Sequence, residues 1–260
     1  MPELLEQIDD GIAWLTLNRP DSMNAISPTL AGALIETFER LAEDRTVAAV
    51  VLIGAGRGFC AGGDVKGMSA GIERDFETRH AQLLRVHRIP RLLHMMPKPT
   101  IALVNGAAVG AGLSLALACD FRIAGRAARF GTGFSRIALS GDYGGTWFMT
   151  RLVGTTKARE LYYLSEMVSG EEAREIGLAS EVVDDDALES AGRAFAGRFR
   201  GGPSLAIGYM KRNLNAAESG SLDDVLDLEA LHQARVALSE DHREGVTAFA
   251  EKRKPVFKGR

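Results

Sequence analysis

Thr100-Ile-Ala-Leu-Val-Asn-Gly-Ala-Ala-Val-Gly-Ala-Gly112 decides the fold. Its first five residues, set off by Pro97-Lys-Pro99, form the kind of short apolar run that makes a strand buried on both faces. From Asn105 onward the side chains shrink, so the turn that follows can lie close to another backbone or to a ligand. Leu113 to Ala118 then read as an apolar helix, and Cys119-Asp-Phe-Arg-Ile-Ala124 as a further strand. The same order recurs upstream. Val47-Ala-Ala-Val-Val-Leu-Ile53 is a second buried strand, a glycine-rich loop runs from Gly54 to Gly63, and a charged helical stretch follows. Strands alternating with helices predict an α/β domain.

The flanking segments extend this pattern. Glu6 to Asn18 predicts a hairpin about Asp10-Gly11, with Ala13, Leu15 and Leu17 on one face of the return strand and Ile12, Trp14 and Thr16 on the other. Ser27-Pro28 marks a helix start, and Leu30, Leu34 and Leu41 line one face as far as about Glu43. After about residue 145 helices dominate. Arg200-Gly-Gly-Pro203 reads as a linker, dividing the chain into a core of residues 1–199 and a helical region of residues 200–260. Apolar positions beyond it, such as Leu205, Met210, Val225 and Leu231, either cover the core or pack against a partner subunit.

Composition removes several classes of function. A formal net charge of −3 gives no basic field for nucleic acid. No apolar run approaches the roughly 18 residues of a membrane span, and the acidic N-terminus lacks a secretory signal's basic region, so the chain reads as cytoplasmic. Cys60 and Cys119 make no disulfide framework. His80, His87 and His94 recur every seven residues, yet two helical turns hold such side chains about 10 Å apart, too far to share an ion. With Pro90 interrupting the segment, they read as solvent-facing or capping residues. No metal or redox cofactor is indicated. The basic stretch from Glu251 to Arg260 is either a solvated tail or a grip on a phosphate-bearing ligand.

Gly54-Ala-Gly56-Arg-Gly58-Phe59 starts like a dinucleotide fingerprint but fails at the third glycine, where Phe59 stands and no helix begins. The two small-residue turns taken together offer more. Leaving neighbouring buried strands, each can aim a backbone N–H at one point, or each can serve only as a packing turn. If a helix starts at Gly110, the Ala111 N–H sits at its positive end. Two such donors make an oxyanion hole, which lowers an acyl-transfer or enolate barrier by several kcal/mol.

Phe59-Cys-Ala-Gly-Gly-Asp-Val-Lys-Gly-Met68 resembles the oxyanion segment of the enoyl-CoA hydratase/isomerase (crotonase) family, F-[AC]-A-G-[AG]-D-[IVL]. Asn105 to Gly112 resembles that family's second segment, N-G-x-[AC]-x-G-[GA]-G. Leu15 to Pro20, Asn24-Ala25, Gly144 to Thr146, Arg151 to Gly154 and Lys252 to Pro255 follow in the family's order, so the resemblance spans nearly the whole chain. It implies a crotonase-like spiral of repeated ββα units with a C-terminal helical region that helps form a homotrimer or hexamer. It implies an acyl-CoA thioester substrate, with coenzyme A entering as part of that substrate. Carried over by position, the N–H groups of Gly63 and Ala111 grip the thioester oxygen. Ser22, Met23 and Ala25, with Ala61, Gly62, Asp64 and Val65, line the coenzyme A path. Asp21 stands where the family often has a basic residue for a phosphate, a role the C-terminal Lys and Arg residues can take.

The reaction depends on the acid and base. Hydratases of the family hold one water between two glutamates; here those positions are Ser114 and Phe134, neither of which is a base near neutral pH. Asp142, in Ser140-Gly-Asp-Tyr-Gly-Gly-Thr146, stands where phenylacetate-pathway-type enoyl-CoA isomerases carry their base and aryl-CoA dehalogenases their nucleophile. A single carboxylate suffices for a 1,3-proton shift; the alternative for Asp142 is a turn residue. Phe134 reads as an apolar wall for the acyl group or as a core aromatic, and Tyr143 as a donor to substrate or a packing residue. The expectation is an enoyl-CoA isomerase. A hydratase in the broad sense, an acyl-CoA hydrolase and a non-catalytic CoA-binding protein stand as alternatives.

Overall fold

Asp10 (φ 48°) and Gly11 (φ 76°) form the two-residue turn between β1 (Leu4–Asp9) and β2 (Ile12–Leu17), which pair antiparallel with Leu4 opposite Leu17. Positive φ at both positions is what a hairpin turn of this length requires. The computed structural model describes residues 1–64 and 75–260. On β2, Ala13, Leu15 and Leu17 enter the main core, whereas Ile12 and Trp14 join a second apolar cluster on the other face. Helix α1 (Pro28–Glu43) starts where Ser27 accepts the Leu30 N–H at 3.0 Å, with proline in its first turn. Leu30, Leu34, Phe38 and Leu41 form its fully buried face.

Strands β3 (Ala49–Gly54), β5 (Thr100–Val104), β7 (Phe121–Gly125) and β10 (Glu181–Val183) continue from β2 in parallel, giving a six-stranded sheet in the order β1-β2-β3-β5-β7-β10. Both faces of this sheet are covered, which explains the near-continuous apolar runs in its sequence.

Each of β3, β5 and β7 is followed by a three-residue strand: β4 (Gly58–Cys60), β6 (Ala107–Val109) and β8 (Arg129–Gly131). These three pair in parallel with one another, and β9 (Val168–Ser169) closes the small sheet antiparallel to β8. A helix completes each turn: α2 (Phe76–Val86) and α3 (Arg88–Met95) after β4, α4 (Ala111–Leu117) after β6, and α5 (Gly145–Leu164) after β8. The chain is thus a mixed α/β spiral of ββα units. From sequence, β4 and β6 read as parts of loops, because three residues are too few to show alternation. Pairing between distant turns of the spiral, rather than local propensity, makes them strands.

Helices α6 (Gly170–Glu175) and α7 (Leu188–Gly197) follow, α7 covering the second apolar cluster through Leu188 and Ala196. Residues 200–203 turn the chain into α8 (Ser204–Ala217), α9 (Leu222–Ala237) and α10 (Glu240–Ala250). The buried Lys211 ammonium fixes α8 to the spiral, donating to the Leu93 and Lys98 carbonyls at 3.1 Å and to Asp120 at 2.7 Å. Among the described residues, no helix is long and apolar enough to cross a membrane.

Candidate active site

The Asn18-Arg19-Pro20 turn brings two distant segments together. The Arg19 guanidinium binds Glu3 at 3.1 Å, Asp64 at 3.0 Å and the Ala25 carbonyl. Asn24, fully buried in a left-handed conformation (φ 56°), accepts the Arg19 N–H at 2.9 Å and donates to the Ala55 and Gly58 carbonyls at 2.9 and 2.7 Å. Residues 23–26 therefore run beside 61–64. Met23 O accepts the Ala61 N–H at 2.9 Å, Ile26 donates to Gly62 O at 2.7 Å, and Asp64 donates to Ile26 O at 3.4 Å. Gly63 is the bridged residue, and its neighbours make the bonds to Ile26; in parallel pairing its own N–H then points the other way. Among the described residues that N–H has no acceptor.

The second loop supplies a matching group. The Gly110 N–H donates to Gly131 O at 2.9 Å, and Gly110 (φ 56°) caps α4. Ala111 is the first residue of that helix, so its N–H has no intrahelical acceptor and lies at the positive end of the helix dipole. The loops meet at Gly62 (φ +95°). A Cβ there would stand 2.8 Å from Val109 O and 3.3 Å from the Ala111 nitrogen, which only glycine avoids.

Gly63, Asp64, Ala111, Asp142 and Tyr143 line one cleft of about 540 Å³, walled on its apolar side by Ile26, Ile35, Leu83 and Val86. Asp142 lies just ahead of α5, and its carbonyl accepts the Gly145 N–H at 3.0 Å. Tyr143 is left-handed (φ 53°) and buried, and its N–H returns to Asp142 Oδ1 at 2.8 Å. Burial and the neighbouring Asp142 charge push the Tyr143 phenol well above its usual range, so the hydroxyl stays protonated and can only donate or accept hydrogen bonds. Cys60 borders the same loop, but burial pushes its thiol up to about 12, so it holds no thiolate near neutral pH.

His87 approaches Asp142 from the opposite side of the cleft, placing Nε2 2.5 Å from Oδ1. His87 stands at the cap between α2 and α3, in keeping with a solvent-facing or capping histidine. Its side chain is 41% exposed, yet its inner edge meets the carboxylate and packs edge-on against Tyr143 at 6.0 Å. The helical segment breaks at His87 into α2 and α3, so the seven-residue spacing does not describe one helix face. His94 belongs elsewhere, packed edge-on against Trp147 and Phe148.

The two positions that carry glutamates in hydratases of this type do not face the cleft. Ser114 is 1% exposed, donates to Gly110 O at 3.2 Å, and its Oγ would lie 2.2 Å from a Cβ on Gly145. The buried Phe134 ring stacks on Tyr162 (5.9 Å, 16°) and is not part of the lining. Ser22, Met23, Ala25, Ala61 and Gly62 build the loop junction without lining the cleft, and Val65 lies outside the described residues. Among the described residues no three His, Cys, Asp or Glu side chains converge as metal ligands. In chemical terms, the cleft presents two unpaired N–H donors, an apolar wall and two aspartates, of which Asp64 is ion-paired with Arg19 at 3.0 Å.

Comparison with known proteins identifies the family. The enoyl-CoA hydratase/isomerase family model matches residues 7–260, and the chain belongs to that family. It is 38% identical to the 1,2-epoxyphenylacetyl-CoA isomerase of Escherichia coli (strain K12), over 100% of both chains. It is 36% identical to the (E)-benzylidenesuccinyl-CoA hydratase of Thauera aromatica, again over 100% of both. Among solved structures it resembles an enoyl-CoA hydratase from Polaromonas sp. JS666, with a TM-score of 0.93 and 32% identity over 98% of this chain and 99% of that one.

Proposed function

We propose that this enzyme is an enoyl-CoA isomerase with a single aspartate base. The N–H groups of Gly63 and Ala111 form the oxyanion hole for the thioester oxygen. The junction built by Ser22, Met23, Ala25, Ala61 and Gly62, with Asp64 at the cleft, borders the path proposed for the coenzyme A moiety. Asp142 removes a proton from the acyl chain α or γ to the carbonyl. The C–H electron pair moves into the conjugated system as a dienolate, whose negative oxygen the two N–H donors stabilise by several kcal/mol. Asp142, now protonated and able to exchange that proton with solvent, gives a proton to the other carbon, and the double bond has moved.

The observation that carries this reading is that the cleft contains Asp142 and both unpaired donors, while positions 114 and 134 hold a buried serine and a buried phenylalanine. Asp64, the other aspartate of the lining, is ion-paired with Arg19 at 3.0 Å, so this reading assigns the proton transfer to Asp142. The exposed Leu214, Leu226, Leu231, Leu238 and Phe249 on α8–α10 support assembly through these helices into a homotrimer or hexamer.

The test compares wild type with Asp142→Asn on a 3-enoyl-CoA in D₂O, following conjugation and deuterium uptake at the α and γ carbons. The expected result is conjugation with exchange in wild type and a loss of about a hundredfold or more in the variant. Equal rates in both proteins would remove Asp142 from the chemistry. The hydratase relative motivates a second reading, in which Asp142 alone activates water. Crotonyl-CoA separates the two, because hydration bleaches its absorbance and isomerisation does not.

A further inference from the structure

We infer that His87 is a positioning residue for Asp142. Its ring holds carboxylate oxygen Oδ1, which leaves Oδ2 as the atom that exchanges the proton with the acyl chain. The inference rests on the isomerase reading above.

Oδ1 receives two donors, the His87 ring nitrogen at 2.5 Å and the Tyr143 N–H at 2.8 Å. Oδ2 has no hydrogen bond among the described residues, and Asp142 lines the cleft. An ionised carboxylate only accepts, so the His87 tautomer that fits this contact carries its proton on Nε2. Turning the carboxylate by a quarter revolution would break both bonds, and a half revolution only exchanges two equivalent oxygens. The pair therefore holds one rotamer, and general-base catalysis gains from a reacting atom that is already aimed.

The backbone makes His87 a firm anchor although its side chain is partly exposed. Helix α2, which precedes it, buries none of its residues. The helix after it, α3, is rooted in the core by Ile89, Pro90 and Leu93, and the His87 N–H is fixed to Leu83 O at 2.9 Å. On the other side, Tyr143 is held by burial of its ring in a conformation that non-glycine residues rarely adopt. Two core-anchored elements thus converge on one oxygen atom. A partly exposed pair of this kind adds little to stability, so its contribution should appear in the reaction.

During turnover Oδ2 takes the proton from one carbon, becomes O–H, and gives a proton to the other carbon. His87 keeps its Nε2 proton throughout. A residue that only oriented the base would be replaceable by any side chain with a donor at that point.

The experiment measures kcat and KM for wild type, His87→Gln and His87→Phe on the same 3-enoyl-CoA. Glutamine places an amide N–H near the Nε2 position and phenylalanine none. Positioning predicts kcat within about fivefold of wild type for His87→Gln. For His87→Phe it predicts a loss of about thirtyfold, with KM within about twofold and an unchanged melting temperature. Full activity in His87→Phe overturns the inference, as does an equal loss in both variants. A wild type that neither conjugates nor exchanges sinks the isomerase reading alone. Proton NMR then decides the positioning role. A far-downfield ring N–H resonance, absent from His87→Gln and moved upfield in Asp142→Asn, upholds it. Its absence from wild type overturns it.

Discussion

Gly62→Ala probes the meeting point of the two loops without replacing either proposed donor residue. The wild-type residue has φ +95°, so any side chain there carries backbone strain on the order of 1–3 kcal/mol. The new Cβ would also lie 2.8 Å from Val109 O, against 3.4 Å for an ordinary contact. Relief requires the 61–64 segment and the β6 end to part by about 0.6 Å. An oxyanion donor works at about 2.7–3.1 Å, so the same displacement leaves one N–H at roughly 3.5 Å, at the limit of hydrogen bonding. Removing a donor outright costs about 10²–10³ in kcat, and a displacement of this size should cost about ten- to a hundredfold. At roughly 2–4 °C per kcal/mol for a chain of this size, the melting temperature should fall by about 4–8 °C. Steady-state conjugation of a 3-enoyl-CoA and differential scanning calorimetry read the two effects. Gly197→Ala is the control, since no heavy atom lies within 4 Å of a Cβ there. A Gly62→Ala enzyme that melts lower but keeps kcat within about threefold would refute the proposed donors. If it neither melts lower nor slows, the close approach itself is wrong.

Two further outcomes follow from buried groups outside the reaction. Burial, aided by the Lys211 and Arg151 charges and opposed by Asp120, holds the His94 imidazole below its ordinary 6.5, so the native state resists the proton that the unfolded chain accepts. Its share of stability is complete above pH 6.5 and is lost as pH falls from there toward the lowered native value; melting temperatures at pH 7.5 and 5.5 should converge in His94→Gln if this is right. Ser114→Glu should not create a crotonyl-CoA hydratase, and it should melt about 5 °C or more below wild type, because the carboxylate enters a fully packed site without a partner. A tenfold rise in hydration would show instead that position 114 can open to the cleft.

Local chemistry explains which parts of this molecule can be read without coordinates. Asp10-Gly11 and Ser27-Pro28 each specify one backbone geometry, and the hairpin and α1 begin where those residues stand. The apolar runs at 49–53 and 100–104 announce buried strands because water is excluded from both faces. Strands β4 and β6 leave no such trace, since each exists only through partners in other turns of the spiral. The candidate site divides in the same way. Gly63 and Ala111 are marked by the small residues around them, whereas His87 reaches Asp142 across 55 residues through a break between helices that no periodicity reports.

That division also bears on why one scaffold can host different reactions. The Gly63 and Ala111 N–H groups are aimed by main-chain bonds of their neighbours, Gly62 and Asp64 to Ile26 and Gly110 to Gly131, so they cannot move without opening strand pairing. Asp142 is aimed by side-chain and turn chemistry instead: a left-handed Tyr143, the Gly145 N–H and the His87 ring. Point substitutions can rewrite the second set while the first stays intact. In this chain positions 114 and 134 are closed by packing, and the proposed reading assigns the acid–base work to Asp142 in the turn ahead of α5. A carboxylate there, with one oxygen held and one free, suits moving a proton between two carbons better than holding a water between two bases.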